Sequence, residues 1–182
     1  MKFVPLPLAG AYAIDLEPHR DERGFFARFW DAEEAKALGL AGSFLQSSLA
    51  HNPRRGTLRG LHYQLPPQAE AKLVLCVRGS IWDVIVDLRD ASATYRKWHA
   101  ETLDGERLRA VYVPEGFAHG YLTRSDDALV LYQISRPHNP DLARGVRWDD
   151  PALGIQWPAP PLIVAPRDRS FPNLDATVGE AR

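Results

Sequence analysis

The chain is 182 residues long, with 22 basic and 23 acidic side chains and a formal net charge of −1. That length suits one domain whose core needs no staples. The charge balance offers no basic surface for nucleic acid, and a single cysteine excludes an intrachain disulfide framework, which points to a reducing compartment.

The N-terminus carries Lys2, Pro5 and Pro7 and no long apolar core, so it does not read as a secretion signal. No stretch is long and apolar enough for a transmembrane helix. The expectation is a cytoplasmic protein without nucleic-acid or membrane partners. It forms one domain over 1–182, with a frayed polar tail over 175–182.

Short segments rich in Val, Ile, Leu, Tyr and Trp alternate with turn residues. They predict strands over 10–16, 24–30, 44–50, 57–64, 72–78, 80–87, 97–103, 110–113, 119–123 and 128–134. One helix is predicted over 31–38, with Asp31 as its cap and Gly39 as its stop. Cys76 lies in the apolar run Leu73-Val74-Leu75-Cys76-Val77 and reads as a small buried hydrophobe. Ile81, Asp83, Ile85 and Asp87 alternate with Trp82, Val84, Val86 and Leu88, so this strand has two chemically different faces. Many short strands with turns between them predict a mainly β fold. A jelly-roll barrel or sandwich with a few short helices fits best, and its mouth is a natural small-molecule pocket.

The most informative run is Leu58-Arg59-Gly60-Leu61-His62-Tyr63-Gln64, followed by Lys72. Polar groups set among strand residues either face solvent or line a pocket. A neutral imidazole takes a proton and an ammonium holds the resulting oxyanion, so a pocket with both suits carbon-acid chemistry. Each residue also has a plainer reading. His62 alone is more often structural, Lys72 a solubilising charge at a strand end, and Tyr132 a core tyrosine with a satisfied hydroxyl. Asp168 reads either as an exposed turn residue or as a carboxylate that folds back to orient His62. Pro114-Glu115-Gly116-Phe117-Ala118-His119-Gly120 reads equally as a turn or as a loop close to a ligand. Asp149-Asp150-Pro151 reads as a structural turn. A metal is not expected. The place of a His-x-His pair holds His62-Tyr63-Gln64, and the following carboxylate place holds Lys72, whose charge repels a cation.

These motifs, in this order, resemble the dTDP-4-dehydrorhamnose 3,5-epimerase family of the cupin superfamily. The resemblance covers 21–174. It rests on Asp21-Glu22-Arg23-Gly24-Phe25-Phe26, Arg59-Gly60-Leu61-His62-Tyr63-Gln64, Lys72-Leu73-Val74, Gly79-Ser80-Ile81-Trp82-Asp83-Val84, Gly116-Phe117-Ala118-His119-Gly120 and Trp148-Asp149-Asp150-Pro151. It implies a cupin-type jelly roll and epimerisation of a nucleotide-linked 4-keto-6-deoxy sugar without a cofactor. By the family pattern, His62 is the general base, paired with Asp168. Lys72 steadies the C4 enolate with His119 nearby, and Tyr132 returns a proton to the opposite face. Arg23 and Arg59 contact the nucleotide sugar. The resemblance also implies a homodimer with N-terminal strand exchange, in which Arg23 and Phe25 reach the neighbour's pocket.

The departures concern binding. The family's Gln-Asp-Asn is Gln46-Ser47-Ser48 here. A Glu place holds Arg28, and another holds Ala143. A Lys before the last Asp is Arg167, and a stacking Tyr is His138. By the family pattern Gln46, Ser48, His138 and Arg167 are candidate substrate contacts; Gln46 is kept, Arg167 keeps the charge, and Ser48 and His138 differ from the usual residues. The alternatives are a one-centre epimerase or ketoisomerase on a CDP- or GDP-linked sugar, or a sugar-nucleotide-binding cupin without turnover.

Overall fold

A computed structural model of the chain describes residues 1–174. The predicted tail over 175–182 lies outside the described residues. In chain order the elements are β1 (Lys2–Pro5), β2 (Tyr12–Asp15), β3 (His19–Asp21), β4 (Gly24–Phe26), α1 (Ala32–Ala37), β5 (Gln46–Asn52), β6 (Thr57–Gln64), β7 (Lys72–Arg78), β8 (Ser80–Asp87), β9 (Trp98–Asp104), β10 (Arg109–Val113), β11 (Phe117–Thr123), β12 (Ala128–Ile134), β13 (Ala143–Gly145), β14 (Ile163–Val164) and α2 (Pro166–Arg169). One sheet has the order β1-β2-β10-β7-β12-β5. The other has the order β13-β6-β11-β8-β9, with β14 added in parallel to β6. β3 and β4 form a separate hairpin.

Strand alternation builds three apolar layers. Val74, Val111 and Val130 of the first sheet meet Ile81, Ile85, Phe117 and Tyr121 of the second in the interior. On the outer face of the first sheet, Leu73, Leu75 and Tyr112 pack under Phe29, Trp30 and Phe44. Trp30 stacks on Tyr112 with ring centroids 5.9 Å apart. On the outer face of the second sheet, Val84 and Val86 pack under Val146, Leu153 and Trp157 of the C-terminal segment. β8 is therefore buried on both faces, and its two inward carboxylates, Asp83 and Asp87, are buried as well. The jelly-roll expectation holds.

The predicted helix forms with its expected ends. Asp31 Oδ1 accepts the Glu33 and Glu34 N–H groups at 3.0 and 3.2 Å, and Gly39 leaves the helix at φ +73°. The strand predicted over 24–30 instead ends at Phe26, because Ala27, Phe29 and Trp30 cross the outer face of the first sheet. β1, β3, β13, β14 and α2 were not predicted. They span only two to four residues each, too few to set a period. Asp150 is buried in a turn and caps the Ala152 N–H at 2.8 Å, which is the structural role read from the sequence. Among the described residues no helix is long and apolar enough to cross a membrane.

Candidate active site

A cavity of about 280 Å³ opens between the two sheets. The second sheet lines it with Arg59 and His62 from β6 and His119 from β11. The first sheet answers with Lys72 from β7 and Tyr132 from β12. Lys72 reaches the interior by simple alternation, on the same face as Val74 and Cys76.

β6 needs more than alternation. Arg59 and His62 are three apart, so a regular strand would turn one of them away. The register supplies the reason both face inward. His119 pairs with His62 and Tyr121 with Arg59, so β6 holds one extra residue against β11. The bulge falls at Gly60, where φ is +137° and an added Cβ would lie 2.6 Å from Gly120 Cα. Only paired glycines allow that approach. Leu58 and Leu61 then both face outward, into the apolar layers beneath the C-terminal segment.

The Gly60 N–H at the bulge donates to Asp168 Oδ2 at 3.1 Å, and Asp168 Oδ1 lies 2.9 Å from His62 Nε2. Asp168 is buried at the start of α2. Burial alone would raise its carboxyl, but the His62 and Gly60 hydrogen bonds and the Arg167 charge outweigh it and hold the carboxyl below its ordinary value. An ionised Asp168 accepts the His62 Nε2–H, which leaves Nδ1 as the basic nitrogen. Phe171 packs edge-on against the imidazole at 5.7 Å.

Lys72 Nζ donates to the His62 carbonyl oxygen at 3.2 Å and pairs with Glu70 Oε1 at 3.0 Å. An ammonium has three donors, so one remains for a ligand oxygen. His119 Nε2 lies 2.7 Å from Asp83 Oδ1, and both residues are buried. Tyr132 faces the His119 ring edge-on at 5.8 Å. Tyr132 is half-buried and lines the cavity. Burial, then the neighbouring Tyr121 and Asp83, push its phenol well above its ordinary value. The site can therefore take a proton from one side of a ligand, hold an oxyanion, and return a proton from the other sheet.

A family model described as dTDP-4-dehydrorhamnose 3,5-epimerase matches residues 5–176. This chain belongs to that family. The dTDP-4-dehydrorhamnose 3,5-epimerase of Methanothermobacter thermautotrophicus is 39% identical over 176 residues, covering 95% of this chain and 94% of the relative. The crystal structure of the Elizabethkingia anophelis enzyme of the same name superposes with a TM-score of 0.93 at 36% identity, covering 97% of both chains. The Legionella pneumophila dTDP-6-deoxy-D-glucose-3,5-epimerase, solved with dTDP-4-keto-L-rhamnose, superposes with a TM-score of 0.92 at 31% identity, covering 98% of this chain and 95% of that one.

The structure gathers His62, Asp168, Lys72, Tyr132, Arg59, His119, His138 and Arg167 at one cavity. It does not bring Arg23, Phe25 or Ser48 there within one chain. Arg23 and Phe25 stand exposed on the β3–β4 hairpin, where Arg23 pairs with Asp21. Ser48 is exposed on β5, opposite Tyr132 in the register but outside the cavity wall. Gln46 acts indirectly, accepting the His138 N–H at 3.0 Å. Among the positions that depart from the family pattern, His138, Ala143 and Arg167 line the cavity. Arg28 lies away from it and pairs with the helix cap Asp31 at 3.0 Å.

Sequence reasoning missed Glu70, Asp83, Arg144 and Phe171. Glu70 sits two positions before Lys72, on its face of the chain, and that spacing was the available signal. Asp83 was visible as the odd carboxylate on an apolar strand face. Arg144 and Phe171 carried no signal, since long-range packing alone brings them in.

Proposed function

We propose that this chain inverts C3 and C5 of a dTDP-linked 4-keto-6-deoxy sugar, as a dTDP-4-dehydrorhamnose 3,5-epimerase. The observation that carries the reading is a His–Asp pair on one side of a cavity whose other sheet contributes both a phenol and an ammonium. Hydrogens beside the C4 ketone are acidic. His62 Nδ1 removes one, Lys72 and His119 stabilise the C4 oxyanion, and Tyr132 delivers a proton to the opposite face. Lys72 supplies the cation, so the reading needs no cofactor. Glu70 is already paired with Lys72, so Arg59, Arg144 and Arg167 leave a positive excess in the cavity lining, which suits a diphosphate. The cavity lies at the small end of ligand pockets. It suits the sugar ring, with the nucleotide lying outward past Arg167 and His138.

The test is proton NMR in heavy water with dTDP-4-keto-6-deoxyglucose. Deuterium is expected at both C3 and C5, with the inverted product. Exchange at neither carbon would remove the activity. Exchange at only one would reduce it to a one-centre epimerase, and turnover confined to CDP- or GDP-linked sugars would change the substrate.

The active form in this reading is a homodimer with exchanged N-terminal strands. The β3–β4 hairpin is exposed along its length, with Phe25 and Phe26 at 52% and 74% exposure. Among the described residues β5 is a sheet edge, with exposed Leu49 on it and exposed Leu45 just before it. An apolar hairpin and an open strand edge on one chain favour pairing with a second copy. Exchange would carry Arg23 and Phe25 into the partner's cavity. Mixing inactive R23A and H62A chains is the test. Exchange predicts recovered activity, because one cavity per mixed dimer then has both residues intact. A monomer in sedimentation, or no recovery, would sink it. A cytoplasmic location suits Cys76, a buried thiol pushed up to about 11 by desolvation.

A further inference from the structure

The turn Arg147-Trp148-Asp149-Asp150 takes no part in the reaction above, yet it joins the two halves of the base. His62 stands on β6 and Asp168 on α2, 106 positions later. The turn follows directly on β13, and β13 pairs with β6. Gly145 lies opposite His62, and Val146 and Leu61 exchange both main-chain hydrogen bonds, at 3.0 and 3.2 Å. The turn is therefore fixed to the strand that carries the imidazole. Its other contacts go to the segment that carries the carboxylate. The Arg147 N–H donates to the Pro172 carbonyl at 3.1 Å, Arg147 Nη1 donates to the Arg169 carbonyl at 2.7 Å, and the Leu174 N–H donates to Asp150 Oδ2 at 2.5 Å. Asp149 locks the guanidinium, whose Nε and Nη2 donate to its two oxygens at 2.8 and 2.7 Å. A guanidinium is a rigid planar fork, so this two-point pair fixes where Nη1 points.

α2 needs such a hold. It is one turn, Pro166–Arg169, with no side-chain cap at its start. A single turn has little stability of its own. Upstream, β14 ties it to β6. Downstream, the Arg169 carbonyl is among the last acceptors of the helix, for which the helix itself has no donor. Arg147 supplies one. We propose that Arg147 is a positioning residue for the base: locked by Asp149, its guanidinium caps the C-terminal end of α2 and holds Asp168 against His62 Nε2. The proposal rests on His62 as the base and Asp168 as its partner. Arg147 does not line the cavity, so it acts only through Asp168. Without it α2 loosens at the end beside Asp168, and His62 loses the acceptor that fixes its tautomer.

The test is a double-mutant cycle of R147M with D168N, read by deuterium exchange at C3 and C5. Methionine keeps an unbranched apolar stem and removes every donor of Arg147. R147M alone should lower kcat by about ten- to a hundredfold, the cost of a misplaced catalytic group, with KM within about twofold of the parent. In the D168N background the same substitution should cost less than about twofold, because no carboxylate remains to be placed. A merely structural role would cost the same factor in both backgrounds, or raise KM. Either result, or exchange at the parent rate in R147M, would overturn the proposal. D149N carries the same cycle if R147M fails to fold. It keeps the guanidinium and loosens its lock, so a smaller loss is expected that also vanishes beside D168N, and no loss at all would again overturn the proposal. If D168N itself exchanges at the parent rate, Asp168 is not the partner of the base, and the proposal falls with that reading. If D168N is impaired and R147M is not, only the role of Arg147 is lost.

Discussion

Lys72 Nζ donates to the main-chain carbonyl oxygen of His62 at 3.2 Å. The cation is thereby tied to the backbone of the residue that carries the base, although the two stand on different sheets. Any shift of β6 moves both groups together. Glu70 holds the ammonium from the other side at 3.0 Å. The third donor remains for a ligand oxygen, which in the proposed reaction is the C4 oxyanion.

Lys72→Met tests that arrangement. Loss of one preorganised oxyanion donor costs about a hundred- to a thousandfold in rate. Deuterium exchange at both carbons is expected to fall by that much, with a smaller change in substrate affinity. Exchange at the parent rate would remove Lys72 from the reaction.

Asp168→Asn keeps the shape of the Asp168 side chain but changes what it offers His62. The amide is no longer a charged acceptor for Nε2, so the imidazole loses its fixed tautomer and its partner charge. The kcat is expected to fall by about 10²- to 10⁴-fold while KM holds. A rise in KM at constant kcat would mean that Asp168 serves binding alone.

Gly145→Ala probes the support behind the base. An added Cβ at Gly145 would overlap the Phe171 ring, which packs against His62. Overpacking of this kind costs about 1–3 kcal/mol. The variant is expected to unfold at lower denaturant and to exchange deuterium more slowly. Unchanged stability would show that Phe171 moves freely.

Asp87 links stability to pH. Burial alone would raise its carboxyl, but Arg89, Ser92 and Thr94 hydrogen-bond it and bring it down to about 2. A carboxyl lowered on folding adds stability above its unfolded value near 4, and that stability is lost as pH falls toward 2. Allowing for solvent screening, the effect is on the order of 1–2 kcal/mol. Denaturant titrations of the parent and D87N should differ at pH 7 and converge near pH 2. A constant difference across that range would exclude the linkage.

Much of the fold was readable because it rests on local pattern. Alternation in Lys72–Arg78 and Ser80–Asp87 places Val74, Cys76, Ile81 and Ile85 in one interior, and Asp31 with Gly39 bounds the helix. The motif order also assembled His62, Lys72, Tyr132 and Asp168 into one site. The fate of 27–30 was not readable, since Phe29 and Trp30 look like strand residues until an uncovered sheet face claims them.

What the sequence determined by itself was therefore the set of chemical groups and the strands that bear them. Tertiary structure decided which groups meet. Asp168 reaches His62 across 106 positions of chain, and its choice between turn residue and base partner depended on that fold-back. Arg59 and His62 share one cavity only because Gly60 and Gly120 approach closely enough to bulge β6. The physical reason is the same in each case. Spacing along a strand sets which face a side chain takes, but a hydrogen bond needs its partner within about 3 Å, and only the packed sheets bring distant residues that close.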